Sequence, residues 1–143
     1  MKNAGKTSGG QRPIGVVLVD DSETFRRAMR EYLSGRLGAA VLGEAFDGEG
    51  ALALVERTAP DLVLMDVRMP GGGGLETTRR LKEAPGSPYV VLVTLGSTEH
   101  LRDVATEIRA DAVVSKADIE ERLPAILSAI GEARDRPPRA RAR

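Results

Sequence analysis

Cysteine is absent from the 143 residues, which excludes disulfides and thiolate metal sites. The single histidine, His100, cannot form half of a histidine metal pair and reads as a solvated helix residue. Tryptophan is missing too. The few aromatics, Phe25, Tyr32, Phe46 and Tyr89, share no motif, so they read as packing groups rather than a base-stacking surface. No apolar run approaches the roughly 20 residues of a membrane span. Residues 1–13 contain lysines but no apolar segment, so they are not a secretory signal. A cytoplasmic protein without membrane contact is expected.

What remains suffices for one domain with a sizeable core. The net charge of zero conceals an asymmetry. Lys2, Lys6 and Arg12 face no acid in residues 1–13, and five arginines stand against Asp135 in residues 134–143. The ends balance at +3 and +4, and the stretch between them at −7. Residues 1–13 read as a disordered arm, 14–133 as the folded domain, and 134–143 as a solvated basic Pro/Arg tail.

Five apolar runs alternate with five helical patterns. Ile14–Val19, Ala39–Ala45, Leu62–Met65, Tyr89–Val93 and Ala112–Val114 read as strands, most of them without the alternation of a half-exposed strand. Helices are expected from Ser22 to about Leu33, from Asp47-Gly48 to before Pro60, and over about Leu75–Ala84. Two more are expected, from Thr98 or Glu99 to Ile108 and from Asp118 to about Ala133, with Pro124 in the early turns of the last. Such alternation implies a doubly wound α/β fold with a parallel sheet and helices on both faces. Ligands of such sheets bind outside the carboxyl ends of the strands. Asp20, Asp21, Asp66, Thr94 and Ser115-Lys116 all follow strands, and so share that rim.

Three converging carboxylates repel one another, so the site must either hold a proton or recruit a cation. All-oxygen donors favour Mg²⁺, with Mn²⁺ as an alternative, over zinc. Lys116 supplies a second positive charge and Thr94 a hydroxyl donor. These parts suit a carboxylate, Asp66, that attacks phosphorus and becomes an acyl phosphate. Gly71–Gly74 lack the lysine and spacing of a P-loop and read as a flexible segment beside the acid.

The order Val19-Asp20-Asp21, Leu64-Met65-Asp66-Val67-Arg68-Met69-Pro70, Gly74-Leu75-Glu76, Val93-Thr94 and Ser115-Lys116 resembles a receiver domain of the bacterial two-component response regulators, over residues 14–133. The resemblance implies the flavodoxin-like five-stranded sheet in the order 2-1-3-4-5. It implies that Asp66 is the phosphoacceptor and that Asp20, Asp21, Asp66 and the Arg68 backbone carbonyl hold Mg²⁺. Thr94 and Lys116 would contact the phosphoryl group. The donor would be a sensor histidine kinase or a phosphotransfer protein, and the product a phosphoprotein that autohydrolyses rather than an enzyme with a separate substrate.

Four positions depart from the family pattern. Leu95 replaces a small residue and is expected to crowd the phosphoryl site. Val113 replaces an aromatic, which removes the rotamer that follows the switch hydroxyl. Ala117 replaces a proline, so a trans peptide or a strained loop is expected after Lys116. Arg109 stands where a glycine usually ends the fourth helix.

The roughly ten residues after the last helix imply a stand-alone domain with no DNA-binding domain. Output would then pass to an unknown protein through the face of the fourth helix, fifth strand and fifth helix, with a homodimer left open. A phosphorylation-independent binding module is the alternative reading. A Mg²⁺-dependent aspartyl phosphohydrolase is a further one, but Arg68 occupies the position where its acid/base should be.

Overall fold

The computed structural model describes residues 12–69 and 73–136. Five parallel strands, β1 (Gly15–Val19), β2 (Ala40–Ala45), β3 (Leu62–Asp66), β4 (Tyr89–Thr94) and β5 (Ala112–Ser115), form one sheet in the order 2-1-3-4-5. Five helices connect or flank them: α1 (Glu23–Arg30), α2 (Gly48–Thr58), α3 (Gly73–Glu83), α4 (Arg102–Glu107) and α5 (Ile119–Asp135). The expected doubly wound fold is therefore present.

Strands buried on both faces explain why the apolar runs do not alternate. On one face Val16, Leu18, Leu64, Val93 and Val114 pack with Met29, Leu33, Leu123 and Ile130 from the helical layer. On the other face Val17, Val19, Val63, Met65 and Leu92 pack with Leu54, Leu81 and Ala105. Neighbouring residues of one strand thus enter different cores.

Side-chain caps set two of the helix starts, as the sequence indicates. Ser22 Oγ accepts the Phe25 N–H at 3.2 Å, and Asp47 Oδ1 accepts the Gly50 N–H at 2.8 Å. Instead of one helix to Leu33, α1 gives way to a π-helical stretch, Glu31–Arg36. The fourth helix opens as a 3₁₀ turn, Glu99–Leu101, before α4 begins.

Pro124 lies in the sixth position of α5 and cannot donate to the carbonyl four residues back, that of Glu120. The Tyr32 hydroxyl, on the π-helical stretch, donates to that oxygen at 2.9 Å. Tyr32 thus satisfies a carbonyl left open by Pro124 in addition to packing against the core.

α5 runs two residues past its expected end. Arg134 in its last turn donates to Asp61 Oδ2 at 3.1 Å and to the carbonyl of Arg12 at 2.7 Å. Arg12 itself pairs with Asp61 at 2.9 Å, so residues 12 and 134 belong to the folded body rather than to an arm and a tail. Residues 1–11 of the expected arm and 137–143 of the expected tail lie outside the described residues.

Two non-glycine residues close helices in the left-handed region, Ala59 (φ 48°) after α2 and Arg109 (φ 67°) after α4. An L side chain there costs about 1–2 kcal/mol, and a glycine gives back about 0.4–1 kcal/mol through the freedom of the unfolded chain. Ala59 is exposed and its N–H caps α2 on the Val55 carbonyl at 2.8 Å, so the backbone alone matters there. Ala59→Gly is expected to raise stability by about 0.5 kcal/mol in urea unfolding; a loss would show that the strain lies elsewhere. Arg109 is different, because its guanidinium also donates to the Lys82 carbonyl at 3.0 Å.

Candidate functional site: an acid cluster at the carboxyl edge of the sheet

Strand register assembles the site. Val19 pairs with Met65, so the next residues, Asp20 and Asp66, emerge side by side from β1 and β3. Asp66 pairs with Val93 and Thr94 with Ser115, which brings Thr94 and the following Lys116 to the same edge. One carboxylate oxygen from each of Asp20, Asp21 and Asp66 lies within 4.8 Å of the others. Asp20 and Asp66 are buried, at 1% and 7% exposure, and Asp21 is exposed.

Each group is fixed by the local backbone. Asp20 Oδ1 accepts the Ser22 N–H at 2.8 Å, and Asp66 Oδ1 accepts the Arg68 N–H at 3.2 Å. Lys116 Nζ stands 2.8 Å from Asp20 Oδ2 as an ion pair. The pair lacks the alignment of a hydrogen bond, which leaves Asp20 Oδ2 buried without a hydrogen-bond partner. The Lys116 N–H donates to the Thr94 carbonyl at 2.7 Å and so locks the lysine's backbone to the end of β4. Thr94 is buried, with its hydroxyl 3.4 Å from the Gly96 N–H that it accepts.

Burial, first, and then the negative charge of Asp20 push the Asp66 carboxyl up to about 6. The Arg68 N–H and the Lys116 ammonium act in the opposite direction and are outweighed. A buried oxygen without a hydrogen-bond partner, in a cluster of three carboxylates, fits a hard divalent cation held by oxygen ligands.

Of the sequence-predicted residues, Asp21, Asp66, Arg68, Thr94, Leu95 and Lys116 line one open cleft, while Asp20 is buried beside Asp66. Leu95 lines the cleft and is 80% exposed. Val113 fills its position as a half-buried member of the core layer with Ile108 and Ala110. The Lys116–Ala117 peptide is trans, and the turn closes through the Asp118 N–H on the Ser115 carbonyl at 3.0 Å.

Three contributors are not legible in the sequence. Arg26 donates to the Asp20 carbonyl at 2.7 Å and to Glu44 at 2.9 Å, bracing the β1–α1 loop from behind. Phe25 lines the cleft and faces Lys116. Gly74 packs against the Asp66 backbone, where a Cβ would stand 2.0 Å from the Asp66 carbonyl oxygen. Its N–H donates to the Val67 carbonyl at 3.0 Å. At Gly74, therefore, the glycine serves close approach rather than flexibility, while residues 70–72 lie outside the described residues. Helical spacing marks Phe25 as a core position, but no local signal marks Arg26.

Comparison with known proteins gives the same answer over most of the chain. Residues 16–128 match the response regulator receiver domain. The chain is 35% identical over 102 residues to the nitrate/nitrite response regulator protein NarL of Escherichia coli, covering 71% of this chain and 46% of NarL. The signal receiver domain of the putative response regulator NarL from Mycobacterium tuberculosis superposes with a TM-score of 0.77 at 27% identity, covering 85% of this chain and 98% of that one. A structure described as a DNA-binding response regulator of the LuxR family, from Staphylococcus aureus, shares the fold, with a TM-score of 0.75 at 24% identity and coverage of 82% and 98%.

These findings overturn the expectation of no DNA-binding domain. The chain spans about half the length of the curated relatives it matches, and a protein of the same fold is described as DNA-binding. The few residues after α5 therefore say nothing about output, and the inference from them to a stand-alone protein falls. Among the described residues no helix is long and apolar enough to cross a membrane. With its sheet order, its acid cluster and the match over residues 16–128, the chain belongs to the receiver domain family of two-component response regulators.

Proposed function

We propose that Asp66 accepts a phosphoryl group from a phosphohistidine donor protein. The observation that carries this reading is the convergence of Asp20, Asp21 and Asp66 within 4.8 Å beside the Lys116 ammonium. Asp20, Asp21 and Asp66, with the Arg68 backbone carbonyl, would hold Mg²⁺. Bound there, the ion offsets charge on the phosphoryl oxygens.

The chain's own residues do the rest. An Asp66 carboxylate oxygen attacks phosphorus, the P–N bond to the donor imidazole breaks, and the imidazole leaves with the bonding electron pair and is protonated. Burial of Asp66 limits competing water around the nucleophile. The Lys116 ammonium and the Thr94 hydroxyl lie at the same strand ends, where they would meet the phosphoryl oxygens. Leu95 flanks the cleft mouth and bears on which donor surfaces can approach.

Incubation of the protein with a small-molecule phosphodonor and Mg²⁺, followed by intact-mass measurement, tests the reading. A single phosphate adduct is expected with Mg²⁺ and none when the cation is chelated. No adduct, or one that persists in Asp66→Ala, would sink the assignment.

A further inference from the structure

Lys116 is held on two sides. Its Nζ lies 2.8 Å from Asp20 Oδ2 and 4.4 Å from the centroid of the Phe25 ring. The side chain is only 16% exposed, so little water competes with either contact. Phe25 is itself anchored, through its N–H on Ser22 Oγ in the first turn of α1 and by packing against the core layer below. Met29 and Leu33 continue the same helical stripe and are fully buried, whereas Phe25 is half-buried and borders the cleft. Packing alone accounts for an apolar residue at this position. It does not account for a cation placed over a ring face.

A lysine ammonium rides on a flexible four-carbon stem, and its rotamer freedom must be restrained before it can serve a fixed site. The negative face of an aromatic ring attracts such a cation, and more strongly where water is scarce. An aliphatic side chain in the same place would pack but would not attract. We propose that Phe25 is a positioning residue for Lys116: its ring face and the Asp20 carboxylate together hold the ammonium beside the acid cluster, poised for the oxygens of the incoming phosphoryl group. The kinetic part of this inference rests on the reading of Asp66 as phosphoacceptor. Phe25 touches no reacting atom and acts only through Lys116.

Two variants and two readouts test it. Phe25→Leu keeps an apolar side chain and removes the ring, and Phe25→Tyr keeps the ring face. In NMR spectra taken without any phosphodonor, the Lys116 Hε protons of the wild type and of Phe25→Tyr are expected upfield, shielded by the ring. In Phe25→Leu they are expected at their ordinary position. With a small phosphodonor and Mg²⁺, Phe25→Leu is expected to form the Asp66 adduct roughly 3- to 10-fold more slowly, and Phe25→Tyr within about twofold of the wild type.

Unshifted Lys116 protons in the wild type would overturn the proposal. So would a Phe25→Leu variant as fast as the wild type, or a Phe25→Tyr variant as slow as Phe25→Leu, which would leave Phe25 a packing residue only. A wild type that takes up no phosphoryl group would sink the function proposed for Asp66, and the NMR comparison would then decide the positioning of Lys116 alone. The wild-type shift and the Phe25→Tyr variant keep the test decisive should Phe25→Leu fold poorly.

Discussion

Asp66→Asn is expected to take no phosphoryl group and, without divalent cation at pH 7, to be more stable than the wild type by about 1–2 kcal/mol. The gain follows from the cost of the native charge. Burial and the neighbouring Asp20 raise the Asp66 carboxyl from 3.8 to about 6. A tenfold change in proton affinity corresponds to about 1.36 kcal/mol, so the ceiling is about 3 kcal/mol. The amide still offers an oxygen to the Arg68 N–H, but its own N–H groups enter a partly buried site and take back part of the gain.

The pH dependence fixes the sign. Between about pH 4 and pH 6 the native wild type holds a proton on Asp66 that the unfolded chain has released. Stability therefore falls as pH rises through that window, is fully present below the unfolded value and is lost above about 6. The advantage of Asp66→Asn should be widest at pH 7 and should narrow toward pH 4. Mg²⁺ acts in the opposite sense, because a ligand that binds only the native state raises the wild-type midpoint with its concentration. The variant lacks one ligand charge and should respond less. Thermal unfolding across pH and Mg²⁺ concentration checks all three statements. A variant less stable than the wild type in metal-free buffer at pH 7 would contradict the account of the acid cluster.

Gly74→Ala is the second large effect, in the other direction. The new methyl would stand 2.0 Å from the Asp66 carbonyl oxygen and 3.0 Å from Met65 Cγ. The first obstacle is backbone, so no side-chain rotation relieves it, and the start of α3 must move away from the end of β3. The expected loss is about 3 kcal/mol or more in urea unfolding, at the upper end of overpacking costs. The displacement would also reach Asp66, because the Gly74 N–H on the Val67 carbonyl helps to shape the loop that follows the acid.

Gly131→Ala serves as the control. A methyl there meets nothing within 4 Å inside α5, and it should stabilise by about 0.5–1 kcal/mol through helix propensity alone. A Gly74→Ala protein as stable as the wild type would show that α3 can shift freely at its start.

The contrast between these two glycines shows how far the sequence can be read. Gly74 is the last of four consecutive glycines before an expected helix and Gly131 lies inside another, and only the path of β3 past α3 makes the first indispensable. Ser22 and Asp47 announce their helices correctly because a cap is made with a backbone N–H three residues away. The strands are equally legible, since burial on both faces leaves a continuous apolar run. The boundaries of the first and fourth helices are less so. The π-helical stretch at Glu31–Arg36 carries Tyr32 to the Glu120 carbonyl, a partner 88 residues away that no local pattern encodes.

By itself the sequence determined the alternation of strands and helices, hence the sheet class, and it placed three acids, a hydroxyl and a lysine just past strand ends. Those features are local, because side-chain period and helix capping act over a few residues. Tertiary structure alone decided what the strand-end groups meet. The register of β1 against β3 sets Asp20 beside Asp66, and Phe25 reaches Lys116 across 91 positions of chain. Arg26 braces the Asp20 carbonyl, Leu95 stands exposed beside the cleft, and Arg134 ties the end of α5 to Asp61. Such contacts depend on how separate elements pack in space, and sequence spacing does not specify that distance.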